Sequence, residues 1–283
     1  VPTDFIKEII WVKGDICDYE DMCNLFNKGI DYVYHCAAKV SFKKEEQKEL
    51  YMINVVGTRM IVNLSLEYGI KKLCYVSSVG ALGRGVDIID ENSSFDSRQD
   101  VSYYSFTKYM GELEVWRGIA EGLDAVIVNP GIMLGIGKWD SGSMNLFKQI
   151  KGGLKFYSSG SNGFVDVRDV VEVMYMLMLS NIRGERYVLV ADNISYKELL
   201  TLIADSLGVE APKYGIGKGF VRIISLVSFI LSLFKRNGFL TQETIKTAYK
   251  DYVYSSDKIK KAIDFKFTPI RDTIEWAGQN ELR

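Results

Sequence analysis

The chain predicts a doubly wound α/β fold, a parallel sheet covered by helices on both faces, with a smaller, mostly helical C-terminal lobe. Three observations carry this. Short β-branched and aromatic runs alternate with helically spaced segments through the first half. Those runs are apolar along their whole length, as strands buried on both faces are. The composition, 47% hydrophobic and 25% charged over 283 residues, supplies a core for one to two ordinary domains and excludes wholesale disorder.

In chain order, IIWV (9–12) is expected as a strand, 19–26 as a helix and DYVYHCAA (31–38) as a second strand. A long helix is expected over 47–68, interrupted only by Gly57. KLCYVSS (72–78) and DAVIVNP (124–130) read as further strands, with a helix over 104–121 between them. After Pro130 the glycine-rich GIMLGIGKWDSGS leads to helices around 145–151, 167–180 and 196–207, with a strand at RYVLVAD. A dinucleotide-sized core is expected over 1–143 and a smaller lobe over 144–283, with some segments returning to the core. GFVRIISLVSFILSLF (219–234) is apolar except for a narrow stripe of Arg222, Ser225, Ser228 and Ser232. It is shorter than the roughly 20 residues of a spanning helix. A buried or lid helix is the reading, with a membrane-surface or subunit contact as the alternative.

Charge and rare residues exclude whole classes. Thirty-five Lys and Arg against 36 Asp and Glu leave a net charge of −1, no footprint for nucleic acid or an acidic membrane surface. With His35 as the sole histidine, multi-His zinc sites cannot be assembled. His35 itself reads as a satisfied strand-end residue. Cys17, Cys23, Cys36 and Cys74 form no CxxC pair. Cys36 and Cys74 sit in apolar runs and are expected as small buried hydrophobes, so a reduced, cytoplasmic protein without disulfides is expected.

The chemistry begins with tyrosine. A Tyr four residues before a Lys on a helix shares its face, and the ammonium can stabilise a phenolate for proton exchange with a carbonyl or alcohol oxygen. The spacing occurs at Tyr68/Lys72, Tyr104/Lys108, Tyr214/Lys218 and Tyr254/Lys258. Only Tyr104/Lys108 opens a helix inside the α/β half, downstream of Ser78 at the end of an apolar strand, where open sheets place ligands.

CYVSSVGALG, YSFTKYMGE and VNPGIMLG, in that order, resemble the extended short-chain dehydrogenase/reductase superfamily, also called the NAD-dependent epimerase/dehydratase family. GDICD, YHCAAKVSF, INVVGT and GFVDVRDVV agree with it. The nearest branch is the dihydroflavonol 4-reductase-like and 3β-hydroxysteroid dehydrogenase-like one. The resemblance implies a Rossmann-type fold binding NADP(H) or NAD(H), with NADP(H) favoured. It implies Tyr104 as general acid/base, Lys108 on the nicotinamide ribose lowering the Tyr104 pKa, and Ser78 on the reacting oxygen. It further implies Asp15 and Ile16 beside the adenine, and Cys36, Ala37 and Ala38 along the dinucleotide. Asn54 falls in the strand-end network, Pro130, Gly131, Ile132 and Met133 bound the nicotinamide face, and Ser143 is a cofactor or loop contact. A rival reading makes Asp15 the cap of the following helix. A homodimer follows by analogy with the superfamily.

Ser78 is followed by Val79 and Gly80 rather than acidic residues, which argues against a sugar dehydratase. The apolar stretch 219–234 with Leu134, Met144, Leu146 and Phe147 favours a fairly apolar small-molecule ketone or aldehyde, or the matching secondary alcohol. A sugar-nucleotide epimerase, with Lys148, Lys151, Lys155 and Arg168 as available diphosphate anchors, is the alternative. A non-catalytic dinucleotide-binding scaffold or sensor is a further one. The family's opening strand, GxxGxxG turn and helix have no counterpart in the sequence, so the chain is expected to be a piece of a longer protein. Intact mass of the native protein tests this: a folded species at 32.1 kDa overturns it.

Overall fold

A computed structural model describes residues 8–96, 98, 101–137, 139, 142–216 and 248–280. The elements are α1 (Tyr19–Phe26), β1 (Tyr32–His35), α2 (Gln47–Tyr51), a π turn (Met52–Gly57), α3 (Thr58–Glu67), β2 (Lys72–Val76), α4 (Tyr103–Ala120) and β3 (Ala125–Pro130). There follow β4 (Ile132–Leu134), α5 (Asn145–Lys151), β5 (Phe156–Ser158), β6 (Ser161–Asp166), α6 (Val167–Leu179) and β7 (Glu185–Leu189). The last are β8 (Asp192–Ser195), α7 (Tyr196–Leu207), β9 (Tyr214–Ile216), α8 (Asp257–Ile263) and α9 (Ile270–Gln279).

The main sheet runs β1-β2-β3-β7 with every pair parallel. Alternation along each strand divides its side chains between two cores. Leu73 and Tyr75 of β2 and Ala125 and Ile127 of β3 meet Ile61, Val62 and Leu64 of α3 and Val115 of α4. Cys74, Val126 and Val128 meet Val170, Val173 and Leu177 of α6 on the other face. Each such aliphatic burial contributes about 1.5–3 kcal/mol, so the sheet is held from both sides. Register places His35 opposite Tyr75, Val76 opposite Val128 and Pro130 opposite Leu189. The carboxyl ends therefore share one edge.

The run 9–12 is not a strand. It has no ladder partner among the described strands, and Ile10 and Trp11 are 84% and 79% exposed. A strand needs a neighbour for its backbone groups, and apolar composition alone does not supply one. The outer side of β1 is open too, with Tyr32 and Tyr34 exposed. The run 47–68 is helical throughout, and Gly57 closes a π turn instead of breaking it. Its missing side chain leaves room for Ile16, whose carbons lie 3.2 Å from where a Cβ would stand.

A second sheet, β4-β6-β8, and a two-stranded β5-β9 pair lie beyond β3. Phe147 and Ile150 of α5, Leu199, Leu200 and Ile203 of α7, and Ile270 and Ile274 of α9 form their shared core. Leu134, Met144 and Phe147 belong to that core. They are unavailable to a substrate, because helical periodicity marks a buried face without saying what it meets. The stretch 219–234 lies outside the described residues, as does Lys218. Among the described residues no helix is long and apolar enough to cross a membrane.

Gly111, in the middle of α4, sets how closely that helix approaches the sheet. A Cβ there would stand 2.4 Å from the Asn54 carbonyl oxygen and 2.7 Å from Tyr75 Oη. Gly111→Ala gains about 1 kcal/mol of helix propensity but overpacks a backbone oxygen, which costs about 1–3 kcal/mol. Net destabilisation is expected in urea unfolding, and an unchanged or raised midpoint would contradict the close approach.

Candidate active site

The site is built on one face of α4. Ser102 caps the helix, its hydroxyl accepting from Ser105 N–H at 3.0 Å. Tyr104, Lys108 and Glu112 then follow at four-residue steps and share the face turned to the strand ends. Ser78 lies two residues past β2 and receives the Gly80 N–H on its Oγ at 3.1 Å. With that lone pair occupied, its proton is free to point towards Tyr104, whose ionised form it favours.

Lys108 is 1% exposed. Its Nζ donates to Tyr75 Oη at 3.0 Å and to the Val76 carbonyl at 2.8 Å. Burial pulls its pKa down to about 8, against the opposing pull of Glu112 and Cys36. Glu112, also 1% exposed, accepts on Oε2 from Ser77 Oγ (2.7 Å) and Asn129 Nδ2 (2.8 Å). Its Oε1 accepts from Arg186 Nη1 (2.8 Å) and Trp116 Nε1 (3.3 Å). Asn129 Nδ2 also donates to the Ser78 carbonyl at 3.0 Å. One helix face thus addresses the ends of β2 and β3 and the start of β7.

The lowering of the Tyr104 phenol expected from Lys108 is not what this geometry produces. Burial raises the Tyr104 pKa, and the Ser78 hydroxyl opposes the rise. The ammonium is taken up by Tyr75 Oη and the Val76 carbonyl instead. Asn54, at 0% exposed, accepts from Lys39 N–H (2.8 Å) and donates to Lys39 O (3.0 Å) and Thr107 Oγ1 (3.0 Å). Its polar atoms tie the loop after β1 to α4. Cys36, Ala37 and Ala38 form an exposed ledge at the end of β1. Cys36 is therefore not a buried hydrophobe: it falls one residue beyond the strand, where the sheet no longer covers it, while Cys74 is buried.

Asp15 Oδ1 accepts from Cys17 N–H at 2.8 Å, and the cap of α1 is Asp18, accepting from Asp21 N–H at 3.0 Å. Pro130 is buried, and Gly131 passes so near β6 that a Cβ would stand 2.5 Å from the Gly163 carbonyl oxygen. Ile132 is partly covered and Met133 exposed. Ser143 Oγ donates to the Met133 carbonyl, a loop contact. His35 Nε2 meets Thr58 Oγ1 at 2.9 Å, and burial holds its pKa down to about 3, so it stays neutral. Arg168 pairs with Asp166 at 2.5 Å and stacks 3.6 Å over Trp276, so its charge is already answered within the fold.

A nicotinamide dinucleotide fits the residues gathered at these strand ends. The ammonium of Lys108 carries three N–H donors and meets two acceptors, leaving one that would serve a ribose hydroxyl. Among the described residues there is no glycine-rich turn for the pyrophosphate. Glu112, Asn129, Ser77 and Arg186 escaped the reading of the sequence. Glu112 continues the four-residue step of Tyr104 and Lys108 and was findable. Arg186 lies 74 residues away in the chain and carries no local signal.

A profile of the NAD dependent epimerase/dehydratase family matches residues 2–190. Sterol demethylase protein B of Methylococcus capsulatus is 29% identical over 76% of this chain and 66% of its own length. A protein named as a dihydroflavonol 4-reductase in Synechocystis sp. is 26% identical over 95% of this chain and 81% of its own. The crystal structure of gox2253 superposes with a TM-score of 0.78 at 29% identity, covering 93% of this chain and 82% of that one.

Burial of Lys108 sets a pH dependence. Its pKa in the fold, about 8, lies below its ordinary 10.5, so the unfolded chain holds the proton more tightly. Stability is therefore penalised below pH 8 and rises between about pH 8 and 10.5. Lys108→Met should lack that rise. Urea unfolding of both proteins from pH 7.5 to 10 checks it, and parallel curves would overturn it.

Proposed function

The chain belongs to the NAD dependent epimerase/dehydratase family, and from that membership we propose that it interconverts a ketone or aldehyde with the matching alcohol of a fairly apolar small molecule, using NADP(H) or NAD(H). The observation that carries the reading is the nearness of the Ser78 hydroxyl to the Tyr104 phenol, where it opposes the effect of burial on the phenol's pKa, with the buried Lys108 one helical turn along. A nicotinamide bound there supplies or takes the hydride. The chain's own residues handle the oxygen and its proton.

A substrate oxygen between the Tyr104 and Ser78 hydroxyls receives the proton of Tyr104 while Ser78 holds it by a second hydrogen bond. The raised Tyr104 pKa keeps the phenol protonated at neutral pH, which suits an acid in the reductive direction. Lys108 adds a positive charge beneath the site and a donor for the ribose. Sterol demethylase protein B and the dihydroflavonol reductase relative, both named for polycyclic compounds, support an apolar substrate in place of the side chains now found in the core. The pairing of Arg168 with Asp166, which answers its charge within the fold, weighs against its use as a sugar-nucleotide anchor. The intact Ser78, Tyr104 and Lys108 weigh against a sensor, which needs no acid/base set. Four free cysteines suit a reducing cytoplasmic setting.

Thermal-shift titration with NADPH, NADP, NADH and NAD is expected to show stabilisation by one form. Tyr104→Phe should keep that shift and lose about 100-fold or more in kcat. A Tyr104→Phe protein with normal turnover would overturn the assignment.

A further inference from the structure

Arg84 follows Ser78 by six residues and is half-buried. Arg59, Arg117, Arg168 and Arg186 each hold a carboxylate within 3.0 Å, whereas Arg84 has none among the described residues. Its Nη1 meets Tyr252 Oη and its Nη2 meets Ser105 Oγ, each at a long 3.3 Å. Its guanidinium carbon stands 4.9 Å over the Tyr252 ring. Nε is shielded from solvent and has no hydrogen-bond partner among the described residues. A guanidinium drawn out of water without a counter-charge is costly unless something anionic completes it.

Its position gives the vacancy a purpose. Ser105 is the neighbour of Tyr104 on α4. A Cβ at Gly80 would stand 2.9 Å from Ser105 Oγ and 3.3 Å from Ser78 Oγ, so one glycine's width separates Arg84's partner from the serine of the site. Among the described residues, the titratable groups found beside Arg84 are the phenols of Tyr196, Tyr252 and Tyr254. Burial raises the pKa of Tyr196 and Tyr254, and the Arg84 charge opposes the rise in both. Asn162 donates to Tyr196 Oη at 3.3 Å.

We propose that Arg84 anchors an anionic group of the substrate, a carboxylate carried a few bonds from the carbon that exchanges hydride, with Tyr252 alongside as a hydroxyl partner. The proposal rests on the reading of Ser78 and Tyr104 as the reacting pair. It makes the substrate two-faced, an apolar body with one charged handle, and makes Arg84 a specificity residue. Planar guanidinium against planar carboxylate, in a partly desolvated place, forms the stronger class of hydrogen bond.

Binding is read first, without chemistry. In the presence of the stabilising dinucleotide, decanoate should raise the Tm of the wild-type protein more than its neutral isostere decanamide. The difference should vanish in Arg84→Gln, return in part in Arg84→Lys and persist in Tyr104→Phe. Turnover follows with 3-hydroxydecanoate, 2-nonanol (the same alcohol without the carboxylate) and 2-hydroxynonylphosphonate. The acid should exceed the alcohol by about 10-fold or more in kcat/KM, mostly through KM, and Arg84→Gln should collapse that ratio. Equal shifts with decanoate and decanamide, or a ratio unchanged in Arg84→Gln, would overturn the proposal. A phosphonate preferred over the carboxylate would overturn the carboxylate assignment. Failure of the underlying site reading shows separately, as full turnover in Tyr104→Phe.

Discussion

The Glu112 carboxylate lies at 1% exposure, and four donors converge on it: Ser77 just past β2, Asn129 near the end of β3, Arg186 at the start of β7 and Trp116 of its own helix. A charge so far from water is tolerable only when fully hydrogen-bonded. That requirement makes the arrangement nearly all-or-none. Ser77 and Asn129 can satisfy Glu112 only if the strand ends stand in the observed register, and Asn129 then also holds the Ser78 carbonyl. The placement of Ser78 against Tyr104 is therefore a consequence of satisfying a buried carboxylate two turns further along the helix.

Lys108 belongs to the same electrostatic system. Burial disfavours its charged form and Glu112 favours it, so the ammonium near neutral pH depends on a carboxylate it does not touch. Tyr75 shows how tightly the layers are coupled. Its ring fills the core beneath the sheet, its hydroxyl receives Lys108, and it leaves no space for a side chain at Gly111. Packing, charge and chemistry meet within one helical turn. Arg84 stands outside this system, with neutral partners only among the described residues, and so contrasts with Arg186, whose guanidinium meets the Glu112 carboxylate.

Local pattern was enough wherever local pattern decides structure. Full-length apolar runs marked β2 and β3 as interior strands, since only burial on both faces tolerates them. Helical spacing located α1, α4, α5, α6 and α7 to within a residue or two. The same reasoning misread the run 9–12, because strand formation needs a partner that apolar composition does not specify. It misread Leu134, Met144 and Phe147, whose periodicity reports a buried face and not its neighbour.

The sequence by itself determined the doubly wound class, the family resemblance and the candidate trio Ser78, Tyr104 and Lys108, because each depends on residue type at short spacing. Tertiary structure alone decided what acts on them. The raised Tyr104 phenol, the depressed Lys108, the diversion of its ammonium to Tyr75 and Val76, and the Glu112–Arg186 pair all depend on desolvation and on contacts made across the sheet. Desolvation is a property of three-dimensional surroundings and leaves no trace in spacing along the chain.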